Sequence, residues 1–189
     1  MQSGTLSVGT INSENVDGPL GRSTNPVTMG NANGGTGTFE YTGGSTTIYR
    51  KFTMAAGGTG AFKIDGTNTT VTLSCGINGL GGLTKTGPGT QILSGTNTYT
   101  GDTRINAGTL CINNPCLCNT SSVYLATGAK LCLNFRGNNT IGSLFLGDNV
   151  MAPGVYGATA LGGTNYFNGN GTLTVTNSAR RSGTSRTEH

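Results

Sequence analysis

Residues 81–110 constrain the fold of this chain more than any other segment. They contain two short apolar strand cores, one around Leu93 and one running from Ile105 to Leu110, separated by corners rich in glycine, asparagine and threonine. Strands this short cannot bury both of their faces within the segment. The segment therefore needs a neighbouring copy of itself to stack on, which is the requirement of a β-solenoid.

Apolar residues recur along the chain in two columns, at a spacing of about 20 residues that suits one coil of a solenoid. The first column contains Phe39, Phe62, Leu83, Thr103, Val123 and Leu144, and the second contains Phe52, Val71, Gln91, Leu110 and Leu131. Apolar residues alternate within each strand, so one side faces a core and the other faces water. Glycine-rich and asparagine-rich pieces between the strands fit sharp corners.

Composition sets the limits of the predicted domain. Glycine accounts for 34 of 189 residues and charged residues for only 10%, a profile close to low-complexity disorder, and the periodicity is what argues for a folded chain. Residues 177–189 lack this pattern, which predicts a polar, disordered C-terminal tail after a domain at residues 1–176. Arg180, Arg181 and Arg186 lie in the tail, and the body has no clustered basic residues and no apolar run of membrane-spanning length. We therefore expect no nucleic-acid partner and no membrane insertion by this segment.

The segment from Gly81 reads GGLTKTGPGTQILSGTNTYTGDTRINAGTL, and it resembles the passenger-associated strand repeat of bacterial autotransporters. The resemblance implies an all-β fold, a single right-handed parallel β-helix of about eight coils, located extracellularly or at the cell surface. One departure lies in the core, because Gln91 occupies a position at which the family carries an inward leucine.

Candidate catalytic groups are few and scattered. The only histidine is His189, the last residue. In the predicted columns Glu40 stacks over Lys63, whereas Asp65, Asp102 and Asp148 fall at different corners, so no two carboxylates lie side by side. A glycosidase needs two carboxylates across one cleft, and the abundant serines and threonines have no plausible base beside them. We therefore expect no enzyme activity, no cofactor and no metal site.

Cys111 and Cys132 occupy equivalent strands one coil apart and should both point outward. Adjacent strands lie about 4.8 Å apart, within the Cα separation of roughly 4.4–6.8 Å that a disulfide tolerates. The pair is a candidate disulfide. The alternative, that these are small free thiols, stays open.

The outward positions include a basic and aromatic series, Arg104, Tyr124 and Phe145, in the first column, and an apolar residue, Ile92, in the second. Exposed stripes of this kind suggest contact with another surface, and these four residues form a candidate self-association surface. The alternative is that a loop covers these residues, or that the assigned register is wrong and they do not face outward.

These features predict a non-enzymatic structural protein, a rod or filament segment serving surface display, adhesion or matrix formation. The expected partner is a second copy of the chain, stacked end to end or laterally, with surface glycans as a further candidate. The alternative function is that of a polysaccharide-binding or polysaccharide-degrading β-helix protein.

Overall fold

The structure is a computed structural model that describes residues 1–177. The predicted tail at residues 177–189 lies, apart from Asn177, outside the described residues. The strands of the first half are β1 Gly4–Val8, β2 Val27–Met29, β3 Thr36–Tyr41, β4 Thr46–Ile48, β5 Phe52–Met54, β6 Thr59–Ile64, β7 Thr70–Leu73, β8 Ile77–Gly79, β9 Gly82–Thr86 and β10 Thr90–Leu93. Those of the second half are β11 Thr103–Ile105, β12 Thr109–Ile112, β13 Ser122–Leu125, β14 Lys130–Leu133, β15 Asn138–Ile141, β16 Ser143–Leu146, β17 Asn149–Val150, β18 Gly154–Gly157, β19 Leu161–Gly162, β20 Phe167–Gly169 and β21 Thr172–Val175, with a single helical turn, α1, at Gly163–Tyr166.

The strands form a parallel β-solenoid. The first sheet has the order β1-β3-β6-β9-β11-β13-β16-β17 and the second has the order β20-β14-β12-β10-β7-β4. Each coil sends one strand to each of these two sheets and pairs in parallel with the coils before and after it. Five regular coils have a strand in both sheets, from β3 with β4 to β13 with β14, and β16 with β20 forms a less regular sixth. The coils are therefore fewer than the eight that the sequence predicts.

A third sheet, β2-β5-β8, forms the remaining wall in the N-terminal half of the solenoid. Phe52 belongs to this sheet and pairs with Val27 and Ile77, so its assignment to the second column was wrong. The strand that pairs with β7 in the second sheet is β4. Only residues 49–51 separate β4 from β5. The spacing of about 20 residues between coils therefore does not show that these two strands lie in different sheets.

The lumen between the sheets is filled by the inward-facing residues. Phe39, Phe52 and Phe62 come from different strands and meet edge to face, with ring centroids 4.9–6.0 Å apart. Towards the C-terminal end the lumen is mostly aliphatic, although Phe167 continues the inward row beyond Leu131. Its fully buried aliphatic members include Leu83, Leu93, Ile105, Leu110, Ile112, Val123, Leu131, Leu133 and Leu144. Burying one such side chain stabilises the fold by about 1.5–3 kcal/mol, so the stacked rows supply most of the driving force.

The repeat segment provides the corners that join these rows. Gly87 adopts a positive φ of 73°, and a Cβ there would come within 2.4 Å of the carbonyl oxygen of Ile64 on the preceding coil. Only glycine allows both the left-handed backbone and the close approach of the two coils. Lys85 is fully buried beside this corner, and its Nζ donates to the carbonyl oxygens of Thr86, Gly87 and Ala107 at 2.6–3.2 Å.

The C-terminal end of the first sheet differs from the rest because its last strand reverses direction. β17 pairs antiparallel with β16, placing Val150 beside Phe145. β18 likewise pairs antiparallel with β21 in a fourth sheet, β15-β21-β18-β19. Within the described residues, the parallel ladder of the first sheet therefore stops at β16.

Candidate functional site

The outer side of the first sheet carries a row of stacked side chains that we call the aromatic ladder, Arg104, Tyr124 and Phe145. The register places these residues side by side on β11, β13 and β16. The guanidinium of Arg104 lies 3.7 Å from the centroid of the Tyr124 ring. The rings of Tyr124 and Phe145 stack with centroids 4.3 Å apart and planes at 11°. Because the ring faces contact one another, mainly the ring edges and the guanidinium are available to a partner.

Ile92, the fourth residue of the predicted self-association surface, lies on a different sheet. It belongs to the outer row of the second sheet and is in register with Thr72 and Cys111. The structure thus brings Arg104, Tyr124 and Phe145 together and leaves Ile92 apart from them. Self-association through any of these residues stays a prediction.

A shallow groove of about 250 Å³ begins at the Arg104 end of the aromatic ladder. Its lining includes Thr84, Asp102, Arg104 and the exposed side chain of Leu80. The carboxylate of Asp102 lies 3.7 Å from the Arg104 guanidinium and also accepts a hydrogen bond from the backbone N–H of Ser122 at 2.8 Å. The groove thus offers paired donors and acceptors rather than a net charge.

A second polar cluster, Glu40, Lys63 and Asp65, lies further towards the N-terminus on the same sheet. Lys63 donates a hydrogen bond to Glu40 and lies 3.2 Å from Asp65. The hydrogen bond from Lys63 lowers the pKa of Glu40 and, in return, raises the pKa of Lys63. A carboxyl group that stays ionised in this way is unsuited to donate a proton at neutral pH.

The sequence predicts that Glu40 stacks over Lys63, and the register of β3 and β6 confirms this pair. Asp65, which the sequence places at a separate corner, also reaches the ammonium group of Lys63. The sequence carried a signal for this second contact, because Lys63 and Asp65 are two residues apart at the end of β6 and such residues of an extended chain lie on the same side.

The two candidate cysteines are paired in register, Cys111 on β12 beside Cys132 on β14. All five cysteines are free thiols in the structure, so the disulfide stays a prediction. Cys111 is buried and Cys132 is half-buried. A hydrogen bond between the two thiols, reinforced by burial, raises the pKa of Cys111, and the same hydrogen bond lowers the pKa of Cys132 to about 7.

The remaining thiols have different surroundings. Burial raises the pKa of Cys116 to about 11, and Cys118, which lies 3.3 Å from the Thr120 hydroxyl, has a lowered pKa because of that contact. Among residues 1–177, no group of three or more potential metal-ligating side chains comes together. The described part of the chain also contains no helix that is long and apolar enough to cross a membrane. His189 lies outside the described residues.

Comparison with known proteins identifies the repeat. Residues 83–112 match the family model described as passenger-associated-transport-repeat. This segment is therefore similar to a passenger transport repeat. This match covers β9 to β12, the strands that supply Lys85, Arg104 and Cys111. No solved structure gives a significant match.

Two curated relatives share part of the chain. The adhesin BmaC autotransporter of Brucella suis biovar 1 (strain 1330) is 39% identical over 108 residues, which are 55% of this chain and 3% of that protein. An extracellular serine protease of Serratia marcescens is 43% identical over 67 residues, 35% of this chain and 6% of that protein. The chain thus spans only a small part of either relative. These similarities indicate a secreted or cell-surface bacterial passenger segment.

Proposed function

We propose that this chain is a non-enzymatic structural segment of a bacterial surface protein, a β-helical rod that serves display, adhesion or matrix formation. One observation carries the proposal: the register of the second sheet runs without interruption from β7 through β10 and β12 to β14. Each strand in this run has both backbone edges hydrogen-bonded, and the side chains below it fill a continuous lumen. Such a rod gains length by adding coils, while its outer rows remain free to vary.

Adhesion is one role that the comparisons support, since one relative is named an adhesin. The aromatic ladder and the adjoining groove are the exposed features suited to contact another surface. Their candidate partners are a second copy of the chain and surface glycans. Either partner would contact the aromatic ladder, where the Arg104 guanidinium and the ring edges lie next to the polar groove.

A polysaccharide-binding or polysaccharide-degrading protein is the second candidate function, and the groove beside Arg104 favours its binding form. Carbohydrate hydroxyls pair well with carboxylate and guanidinium groups, and Asp102 and Arg104 both line the groove. Hydrolysis has weaker support. Glycoside hydrolysis needs a carboxylic acid with a raised pKa, whereas the pKa of Glu40 is lowered.

Surface display tests the structural role. The chain would be fused between a secretion signal and an outer-membrane anchor in a bacterial host, with an epitope tag at the exposed corner that contains Asn114. We expect the tag to be accessible on intact cells and the solenoid to resist proteinase K. Leu93→Asp, which puts a charge into the lumen, should lose that resistance, whereas Thr72→Asp, on the outer side of the same sheet, should keep it.

Two results would contradict this proposal. One is equal protease sensitivity of the parent chain and the Leu93→Asp variant, which would mean that no stable rod is displayed. The other is release of soluble sugar from a polysaccharide panel by the purified chain, abolished by Asp102→Asn, which would establish an enzyme.

A further inference from the structure

The outer row of the second sheet places two thiols within reach of each other. Cys111 and Cys132 are in-register partners on neighbouring parallel strands, where residues at the same height lie about 4.7–4.9 Å apart. Ile92 continues the row on one side of the pair, and Asn168 continues it on the other. A disulfide can therefore form between them without moving the coils, because its Cα separation spans roughly 4.4–6.8 Å.

The two thiols are not equivalent. Cys111 is only 7% exposed, whereas Cys132 is half-buried. Their mutual hydrogen bond leaves Cys132 with a pKa of about 7 and raises the pKa of Cys111. A thiolate, rather than a thiol, attacks a disulfide. Access and ionisation thus both favour Cys132 as the first nucleophile and leave Cys111 as the second.

We propose that Cys111 and Cys132 form a dithiol–disulfide exchange site whose substrate is a small disulfide of the surrounding medium. The Cys132 thiolate attacks one sulfur of the substrate, forms a mixed disulfide and releases the first small thiolate. Cys111 then loses its proton to solvent and attacks the Cys132 sulfur, releasing the second small thiolate. The two cysteines are oxidised to one disulfide while the substrate is reduced to two thiols. This activity is independent of the proposed structural function.

The product is a covalent link between β12 and β14, which are consecutive coils. Cross-linking closes the chain from residue 111 to residue 132 into a loop, which restricts the unfolded state. The exchange site would thus act as a latch that fastens one coil to the next in an oxidising medium and opens in a reducing one. The latched form should have a higher denaturation midpoint than the dithiol form.

Oxidised glutathione is a suitable probe for the purified, fully reduced chain at pH 7.5. We expect peptide mapping to find Cys111 linked to Cys132, with no glutathione retained at either position. Cys111→Ala should stop the reaction at a glutathionyl adduct on Cys132. Cys132→Ala should slow modification of Cys111 at least about tenfold relative to modification of Cys132 in the parent chain, because the Cys111 sulfur is buried and access limits its attack. Cys118→Ala is the matched control and should leave the rate of latch formation unchanged.

The pH dependence of Cys132 alkylation tests the same proposal without analysis of the exchange products. Alkylation of Cys132 by iodoacetamide should rise through pH 7 in the parent chain, and Cys111→Ala should shift that midpoint upward because the hydrogen bond is lost. Circular dichroism establishes that each variant is folded. A stable mixed disulfide at Cys132 in the parent chain, or a Cys132 midpoint unchanged by Cys111→Ala, would overturn the proposal.

Discussion

Gln91 is the residue whose surroundings fit it least. It is fully buried on the inward side of β10, in register with Val71 and Leu110. Neither its Oε1 nor its Nε2 has a hydrogen-bond partner within residues 1–177. A buried amide without partners costs about 1–3 kcal/mol. The autotransporter repeat that this segment resembles carries leucine at the equivalent position, which would remove that cost.

Gln91→Leu should therefore raise the free energy of unfolding by about 1–3 kcal/mol, since it replaces an unpaired amide with an apolar side chain of similar size. Urea unfolding followed by circular dichroism measures the change. Leu110→Gln, one coil further along the same inward row, is the reciprocal control and should destabilise the chain. A loss of stability in Gln91→Leu would mean that the glutamine has a hydrogen-bond partner in solution.

Lys85 shows how a polar side chain can be accommodated in the same coil. Burial lowers the pKa of Lys85 to about 8, so most of the molecules still carry the ammonium group at neutral pH. That group donates to three backbone carbonyls at the corner between consecutive coils. The difference between Lys85 and Gln91 is reach, because the longer side chain extends to a corner where carbonyl oxygens converge.

At the scale of elements, buried asparagine side chains form hydrogen bonds with backbone groups at corners where no neighbouring strand pairs with them. Asn97 accepts a hydrogen bond from the backbone N–H of Ile77, one coil earlier, and donates to the carbonyl oxygen of Gly95. Asn139 does the same for Leu117, accepting from its N–H and donating to its carbonyl. Each side chain substitutes for a missing strand partner, which satisfies backbone groups that would otherwise be buried alone.

Asn97→Ala should lower the free energy of unfolding by about 1–3 kcal/mol, because the backbone N–H of Ile77 loses its acceptor in a buried position. Asn113→Ala is the matched control, since Asn113 makes one exposed hydrogen bond, to Asn134. It should change stability by less than about 0.5 kcal/mol. Thermal unfolding of both variants measures the difference. Equal effects would show that the hydrogen bond between Asn97 and Ile77 does not stabilise the corner.

The sequence-based register was correct at several steps, as for Phe39 beside Phe62, Cys111 beside Cys132 and Tyr124 beside Phe145. It was wrong between β6 and β9, where Leu83 lies beside Gly60 instead of Phe62. A shift of two residues keeps the inward and outward faces, so alternation alone cannot detect it.

Other features left no signal that a single sequence could show. The third sheet was missed because its strands have only three residues each. The unequal pKa values of Cys111 and Cys132 depend on burial and on the hydrogen bond between them, which register does not determine. Sequence periodicity thus predicted which residues face outward, and the coordinates were needed to show which of them touch.

At the scale of the whole molecule, the two directions of self-association differ in what the described residues offer. The C-terminal end of the first sheet is covered by β17, which runs antiparallel and interrupts the parallel ladder. A second copy cannot extend that sheet there in parallel register. The sides of the solenoid carry the aromatic ladder, whose ring edges and guanidinium reach the surface. Lateral contact is therefore the form of self-association that this arrangement favours.

Sedimentation velocity over a concentration series tests lateral association. We expect the parent chain to form dimers or larger species as concentration rises, and Tyr124→Thr combined with Phe145→Thr to weaken that association at least about tenfold, because stacked aromatic pairs contribute strongly to contact surfaces. Thr38→Ala, on the outer side of the same sheet but far from the ladder, is the matched control and should associate like the parent chain. Circular dichroism establishes that the double variant is folded. A parent chain that stays monomeric at every concentration, or a double variant that associates as strongly as the parent, would rule out the ladder as a contact surface between copies.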